Sequence, residues 1–127
     1  MPERRARVAV LWLGLALTPA AAAAAPADAD GEIRALIASL AHSPCRFQRN
    51  GSWYDGARAA AHLQRKYDYL QGKALAGTAE QFIDRAATRS SVSGRVYRVA
   101  CPGQPEQDAS AWFGSQLQAL RHHSASP

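Results

Sequence analysis

The sequence lacks the features that mark several large classes of protein. It contains only two cysteines and one methionine, and it has neither an internal repeat nor a Cys-x-x-Cys pair. Its 127 residues correspond to one domain, because domains average about 150 residues. These properties exclude a multidomain enzyme, a collagen-like or coiled-coil fibre, and a membrane protein with several spans.

A large surplus of charge is also lacking. Lys and Arg number 15, Asp and Glu number 10, and the formal net charge is +5. Three of the arginines and one glutamate lie within residues 1–7, so the remainder carries a surplus of only three positive charges. This surplus is too small for the electrostatic footprint of a nucleic-acid-binding protein, and we therefore expect no nucleic-acid partner.

The beginning of the chain has the three parts of a secretory signal. Residues 1–7 are positively charged, residues 8–17 form an apolar run, and residues 18–25 are mostly small and end in alanines. A membrane anchor is the alternative. However, Pro19 interrupts the run, and a spanning helix needs about 20 strongly apolar residues.

Export would divide the chain into three parts. We predict that residues 1–25 are a cleaved signal peptide, that residues 26–123 form a single globular domain, and that residues 124–127 are a disordered tail. No cysteine lies near the cleavage site, so lipid attachment there is not available. After cleavage no stable membrane span is expected.

The two cysteines, Cys45 and Cys101, both lie in the exported part. A cysteine pair in an oxidising compartment is most simply a disulfide, and only one intramolecular pairing exists. Free thiols with redox chemistry are the alternative, which no Cys-x-x-Cys spacing supports. We expect a disulfide that stabilises the fold by about 4 kcal/mol in the chain-entropy model.

Apolar residues recur at helical spacing in four segments. Asp30 and Asp55 are the predicted N-caps of the first two helices, and Thr78 begins a capping box with Gln81 for the third. The predicted helices run from Asp30 to before Ser43, from Asp55 to about Gln71, from Thr78 to near Arg89, and onward from Asp108.

Short strands are predicted between these helices. Residues 45–49 and 52–54 flank the dipeptide Asn50-Gly51, which is a strong signal for a type I′ hairpin turn. Residues 95–101 alternate apolar and polar side chains and form the third predicted strand.

The cysteines suggest how the strands are assembled. If Cys45 and Cys101 are bonded across neighbouring antiparallel strands, the third strand lies beside the first strand of the hairpin. That register gives two further pairs, Phe47 with Val99 and Arg49 with Tyr97.

We therefore predict an α+β fold, with about four helices packed on a small three-stranded antiparallel sheet and one disulfide. The apolar residues of all three strands share one face, which the helices can cover. The Asn50-Gly51 turn and the loop at Ser93-Gly94 then lie at the same end of the sheet.

Four segments of the chain, taken in order, form a recognisable pattern. They are 47–51 with Tyr54, 60–63 with Lys66 and Tyr67, 78–83, and 90–94 with Tyr97. The pattern resembles a known family of small exported bacterial proteins of unknown function, the YfeK-like proteins, and the similarity extends over essentially the whole exported region. The resemblance implies a periplasmic location and a Gram-negative source, but it supplies no activity, cofactor or catalytic residue.

The strongest candidate site is the surface where the two turns are expected to meet. Its hydroxyls, backbone N–H groups and guanidinium are suited to an anion, a glycan or an acidic loop of a partner. The alternative is that Asn and Gly serve only the turn, while the serines only terminate the helix. The candidate residues are Arg49, Asn50, Gly51, Ser90, Ser91, Ser93, Gly94 and Tyr97.

The second helix presents a second candidate, a basic face formed by Arg58, His62, Arg65 and Lys66. Such a face is suited to a phosphate-bearing envelope polymer or an acidic protein, although a row of this kind is often simply a solvated surface. We also predict that His62 is a binding residue. The alternative is that its ring is buried or half-buried and contacts Tyr54 or a serine.

Catalysis and metal binding have little support. Ser91 or Ser93 can be combined with His62 and an aspartate, but no Gly-x-Ser-x-Gly or Ser-x-x-Lys motif selects a nucleophile. His122 and His123 are adjacent at a helix end and point apart, and no third ligand is suggested. We expect no cofactor and no metal, and we favour a role other than catalysis.

The sequence thus predicts a small periplasmic protein that binds an unknown periplasmic protein or envelope polymer. One alternative is a lysozyme inhibitor, because Ser93-Gly94-x-x-Tyr97 is similar to the Ser-Gly-x-x-Tyr loop of some periplasmic inhibitors. The other is a small hydrolase that uses His62 and a serine.

Overall fold

The structure is a computed structural model and describes residues 9, 13–16 and 26–125. Most of the predicted signal peptide, residues 1–25, lies outside the described residues, as do residues 126–127 of the predicted tail. Among the described helices, none has the length and apolar character needed to span a membrane. The elements in chain order are α1 (Pro26–Ala41), β1 (Arg46–Arg49), β2 (Ser52–Tyr54), α2 (Gly56–Gly72), α3 (Ala79–Ala86), β3 (Arg98–Ala100), β4 (Gln107–Asp108) and α4 (Ala109–Ala125).

The first helix begins earlier than its sequence pattern indicates. α1 begins at Pro26, so Asp30 lies inside the helix and the prediction that it is the N-cap is wrong. Its carboxylate instead accepts a hydrogen bond from the Arg34 guanidinium at 3.0 Å and another from the Tyr67 hydroxyl of α2. Asp30 therefore joins α1 to α2 and does not cap the beginning of a helix.

The caps of the next two helices are as predicted. The Asp55 carboxylate accepts the backbone N–H of Arg58 at 2.8 Å and begins α2. Thr78 and Gln81 form both hydrogen bonds of a capping box at the start of α3. α3 ends at Ala86, three residues before the predicted limit.

The sheet has the predicted arrangement with one additional strand. Its order is β2-β1-β3-β4, and the antiparallel β1–β3 register places Phe47 opposite Val99. The fourth strand, β4, was not predicted because it has only two residues. The α+β fold class with four helices is confirmed, and the sheet has four strands instead of three.

The third strand is shorter than predicted, and its ladder with β1 ends before Tyr97. The backbone N–H of Tyr97 donates to the carbonyl of Thr88 at 3.0 Å, and its carbonyl accepts the N–H of Ala109 at 2.9 Å. The last pair of the ladder is Gln48 with Arg98, so the predicted pair of Arg49 with Tyr97 is not part of it.

Cys45 and Cys101 form the predicted disulfide, with a bond of 1.98 Å between the sulfur atoms. The disulfide lies at the end of the sheet opposite the β1–β2 turn, because it follows β3 and precedes β1. At the C-terminal end, α4 continues to Ala125, so Ser124 and Ala125 are helical and not part of a disordered tail.

The core lies between the apolar face of the sheet and the helices. Phe47 of β1 packs edge-on against Trp112 of α4, with 5.2 Å between ring centroids. Tyr67 of α2 packs in the same way on Phe82 of α3, at 5.3 Å. Trp112 is buried within the core.

Candidate functional site

The two turns meet at one end of the sheet, as predicted. Asn50 and Gly51 both have positive φ, 50° and 81°, as a type I′ turn requires. The Ser93 hydroxyl donates to the side-chain carbonyl of Asn50 at 2.5 Å, and the Arg95 guanidinium lies beside Gly51. We call the surface formed by Asn50, Gly51, Ser91, Val92, Ser93, Gly94 and Arg95 the joined tip.

The loop of residues 90–94, which we call the serine loop, is held in place by the buried side chain of Ser90. The hydroxyl of Ser90 accepts the backbone N–H groups of Val92 at 3.3 Å and Ser93 at 3.2 Å. The backbone of Ser90 accepts from Gly94 and donates to Arg95, both at 2.9 Å. Ser90 is buried and shapes the loop, whereas Val92 is 97% exposed.

Besides the buried Ser90, two of the residues predicted for this surface do not belong to the joined tip. Arg49 turns toward α2, where its Nη1 atom lies 2.7 Å from Nδ1 of His62. Tyr97 is buried, and its hydroxyl oxygen accepts a hydrogen bond from the ammonium of Lys66 at 3.0 Å. Residues 93–96 of the Ser-Gly-x-x-Tyr segment are therefore exposed, and its tyrosine is buried.

Lys66 is also removed from the predicted basic face. Its ammonium donates to the carbonyl of Ala86 at 3.0 Å as well as meeting Tyr97. This side chain joins α2 to the last residue of α3 and to the segment before β3. We conclude that it supports the fold and is not the surface charge that the sequence suggested.

Arg49 and His62 instead contribute to a cleft between the β1–β2 hairpin and α2. Its volume is about 100 Å³. Buried side chains, among them Phe47, Leu63 and Phe113, form its floor. We call this site the basic cleft, and its polar lining consists chiefly of Arg49, Tyr54, Arg58, His62 and Arg65.

Two cations of the basic cleft lie against the ring of Tyr54. The guanidinium carbon of Arg49 is 5.4 Å from the centre of the Tyr54 ring, and that of Arg58 is 5.5 Å from the same centre. The guanidinium of Arg49 lowers the pKa of the Tyr54 hydroxyl below its ordinary value. Two cations thus share one aromatic ring.

His62 is neutral at physiological pH. Its pKa falls from the ordinary 6.5 to about 4, first because burial disfavours the charged ring and then because Arg49, Lys66 and Arg65 repel a further positive charge. A neutral ring can accept the hydrogen bond from Arg49. Every charged side chain that shifts the pKa of His62 is positive.

The basic cleft does not bring a serine to His62. His62 has Arg49 as its hydrogen-bond partner, and no serine is among the residues that line the basic cleft. Within the described part of the chain, no cluster of three or more His, Cys, Asp or Glu side chains is placed to hold a metal ion. The hydrolase alternative and the inhibitor alternative both stay predictions.

Sequence patterns alone do not reveal the basic cleft. Arg49 and His62 are 13 residues apart and lie on different elements, so no local spacing relates them. Helical spacing does place Arg58, His62 and Arg65 on one side of α2, and this spacing was the available indication of the cleft. It could not show that the side chain of Arg49 also points toward that side.

The chain is similar to proteins of unknown function. A family model described as a family of unknown function, DUF5329, matches residues 27–121. The chain is 36% identical over 66 residues to the uncharacterized protein YfeK of Salmonella typhimurium, which confirms the predicted resemblance. This alignment covers 51% of the chain and 53% of the relative, or about half of each. No solved structure matches.

Proposed function

Since the chain belongs to the DUF5329 family of unknown function, we propose a function from its own surface: it is an exported envelope protein without catalytic chemistry. It recognises a periplasmic protein or an envelope polymer through the joined tip. The observation that carries this proposal is the hydrogen bond from Ser93 to Asn50, which unites two turns distant in sequence into one surface.

The joined tip is suited to recognition because it is ordered before a partner arrives. Ser90 fixes the serine loop through four hydrogen bonds, two by its hydroxyl and two by its backbone. A loop already held in one conformation loses less entropy on binding. The exposed Val92 supplies an apolar contact, while the hydroxyl of Ser91 and the guanidinium of Arg95 supply polar ones.

Export is supported by two independent features. The beginning of the chain has the charged, apolar and small-residue segments of a cleavable signal. The bond between Cys45 and Cys101 is of the kind that persists in oxidising compartments such as the periplasm. We accordingly place the partner in the periplasm or envelope.

Substitutions in the joined tip should abolish partner capture without unfolding the protein. We expect the Val92→Asp variant and the Ser91→Ala/Ser93→Ala double variant to retain roughly one tenth or less of the partner captured by the unaltered chain, since truncation of a central contact has effects of this size. The measurement is capture from envelope extract by the oxidised, immobilised chain, with the melting temperature recorded for each variant.

Gln104→Ala is the matched control for this experiment. Gln104 is exposed in the loop that follows Cys101, at the end of the sheet opposite the joined tip. The control should capture the partner as well as the unaltered chain. If the tip variants and the control capture equal amounts of the same partner, the joined tip is not the recognition surface.

A further inference from the structure

The basic cleft holds an arrangement of charge that the joined tip does not explain. We infer that the basic cleft binds a carboxylate carried by a small apolar group. The site is separate from the joined tip, so this inference does not rest on the proposed function and can fail or succeed independently of it.

The first argument is the absence of counter-charge among the described residues. All five ion pairs that they form involve Arg34, Arg98 or Arg121, and none involves an arginine of the basic cleft. Asp55 lies nearby in sequence, but its carboxylate accepts the backbone N–H of Arg58 as the helix cap. An anion in the cleft would therefore relieve repulsion that the fold itself leaves uncompensated.

The second argument is the position of the guanidinium groups. Arg49 and Arg58 lie at nearly equal distances from the Tyr54 ring, 5.4 and 5.5 Å. Arg49 is further held by His62. Guanidinium groups bind planar carboxylates through paired N–H donors, and an arginine already fixed by an aromatic ring and a histidine loses little freedom on binding.

The third argument is the floor of the cleft. Phe47, Leu63 and Phe113 present apolar surface below the cations. The volume, about 100 Å³, exceeds the roughly 30 Å³ share of one water molecule and is well below the roughly 300–1,000 Å³ of pockets for drug-sized ligands. The ligand group is therefore about as large as one apolar side chain, and it carries the anion at the rim.

A bare phosphate satisfies only part of this arrangement, because it has no hydrocarbon to bury. A carboxylate joined to a branched hydrocarbon satisfies both the rim and the floor. Two sources present that chemistry, the C-terminal residue of a peptide and a free fatty acid. The size of the cleft favours the peptide, since a longer acyl chain would extend past the floor.

The test uses the oxidised chain and five small probes. Isovalerate has the carboxylate and the branched hydrocarbon, isovaleramide lacks the charge, and inorganic phosphate lacks the hydrocarbon. We expect isovalerate to bind in the millimolar range. We expect both of the others to bind at least about tenfold more weakly, isovaleramide because it loses a charged contact and phosphate because it buries no hydrocarbon. N-acetylleucine and octanoate then compare the two sources, and we expect N-acetylleucine to bind more tightly.

Binding is followed by the NMR signals of the Tyr54 and His62 rings. At neutral pH the probe is a charged carboxylate, so isovalerate bound in the basic cleft should shift the signals of both rings in proportion to the bound fraction. A probe that binds elsewhere would leave these signals unchanged.

Three variants locate the site. Arg58→Gln should weaken isovalerate about tenfold, and Ala59→Leu should abolish binding by filling the cleft without removing a charge. Arg46→Gln is the control, because Arg46 is exposed on β1 and does not line the cleft. Circular dichroism establishes that each variant is folded.

Two results would overturn the inference. If phosphate or isovaleramide binds as tightly as isovalerate, the cleft does not select an apolar carboxylate. If isovalerate causes no shift of either ring, or if Ala59→Leu and Arg46→Gln bind it equally, the basic cleft is not a carboxylate site.

Discussion

The Cys45→Ala/Cys101→Ala double variant is expected to unfold with a free energy about 4 kcal/mol lower than that of the oxidised chain. The disulfide joins residues separated by 56 positions, and removing it restores the conformational freedom of that loop to the unfolded state. The measurement is a urea titration followed by circular dichroism, with the slope of the transition compared between the two proteins.

Reduction of the unaltered chain provides an independent check on the same bond. The chain titrated in a reducing agent should show the same loss as the double variant, since both lack the cross-link and share the rest of the core. A loss below about 1 kcal/mol in both, which is no larger than an ordinary point substitution causes, would mean that the disulfide contributes little to this fold.

The Gly56→Ala variant is expected to be destabilised by about 1–3 kcal/mol, which is typical of an added methyl group in a space already filled. A Cβ atom on Gly56 would lie 2.3 Å from the carbonyl oxygen of Leu40 and 3.0 Å from that of Ser43. Both are backbone atoms, one in the last turn of α1 and one just after it, so neither can move aside as a flexible side chain would. The start of α2 would have to shift away from α1.

Gly72→Ala is the matched control. Gly72 also lies in α2, a Cβ atom added to it would have no heavy atom within 4 Å beyond its own helix backbone and chain neighbours, and alanine is favoured over glycine in a helix by about 0.5–1 kcal/mol. The control should be as stable as the unaltered chain or more stable. Equal stability of the two variants in a urea titration would show that α1 and α2 do not pack as closely as described.

The parts of the fold that sequence patterns predicted are those set by local chemistry. Asn50-Gly51 selects a hairpin turn because both residues tolerate positive φ. The disulfide between Cys45 and Cys101 then aligns β3 with β1, and the predicted pairing of Phe47 with Val99 follows. Helix starts were predicted where a side chain bonds a backbone N–H three residues ahead.

The parts that were missed depend on contacts between distant residues. β4 has two residues and no pattern of its own, and Arg98 of β3 holds it through the carboxylate of Asp108 at 2.5 Å. Asp30 resembled a helix cap, but its partners are the side chains of Arg34 and Tyr67. Neither β4 nor the bond from Tyr67 to Asp30, which spans 37 positions, has a local signature in the sequence.

The candidate site was predicted in part for the same reason. The predicted β1–β3 register placed the two turns together, because backbone pairing determines where a turn lies. The register does not determine the direction of each side chain, and Arg49 and Tyr97 were therefore wrongly assigned to the joined tip. The structure places Arg49 against His62 and buries Tyr97 beside Lys66.

The most direct test of the account is whether the two turns touch in solution. In the oxidised chain, we predict nuclear Overhauser effects between the side chains of Asn50 and Ser93 and between Gly51 and the side chain of Arg95, alongside those of the β1–β3 ladder. A spectrum that shows the ladder contacts but none between the turns would contradict the existence of one shared recognition surface.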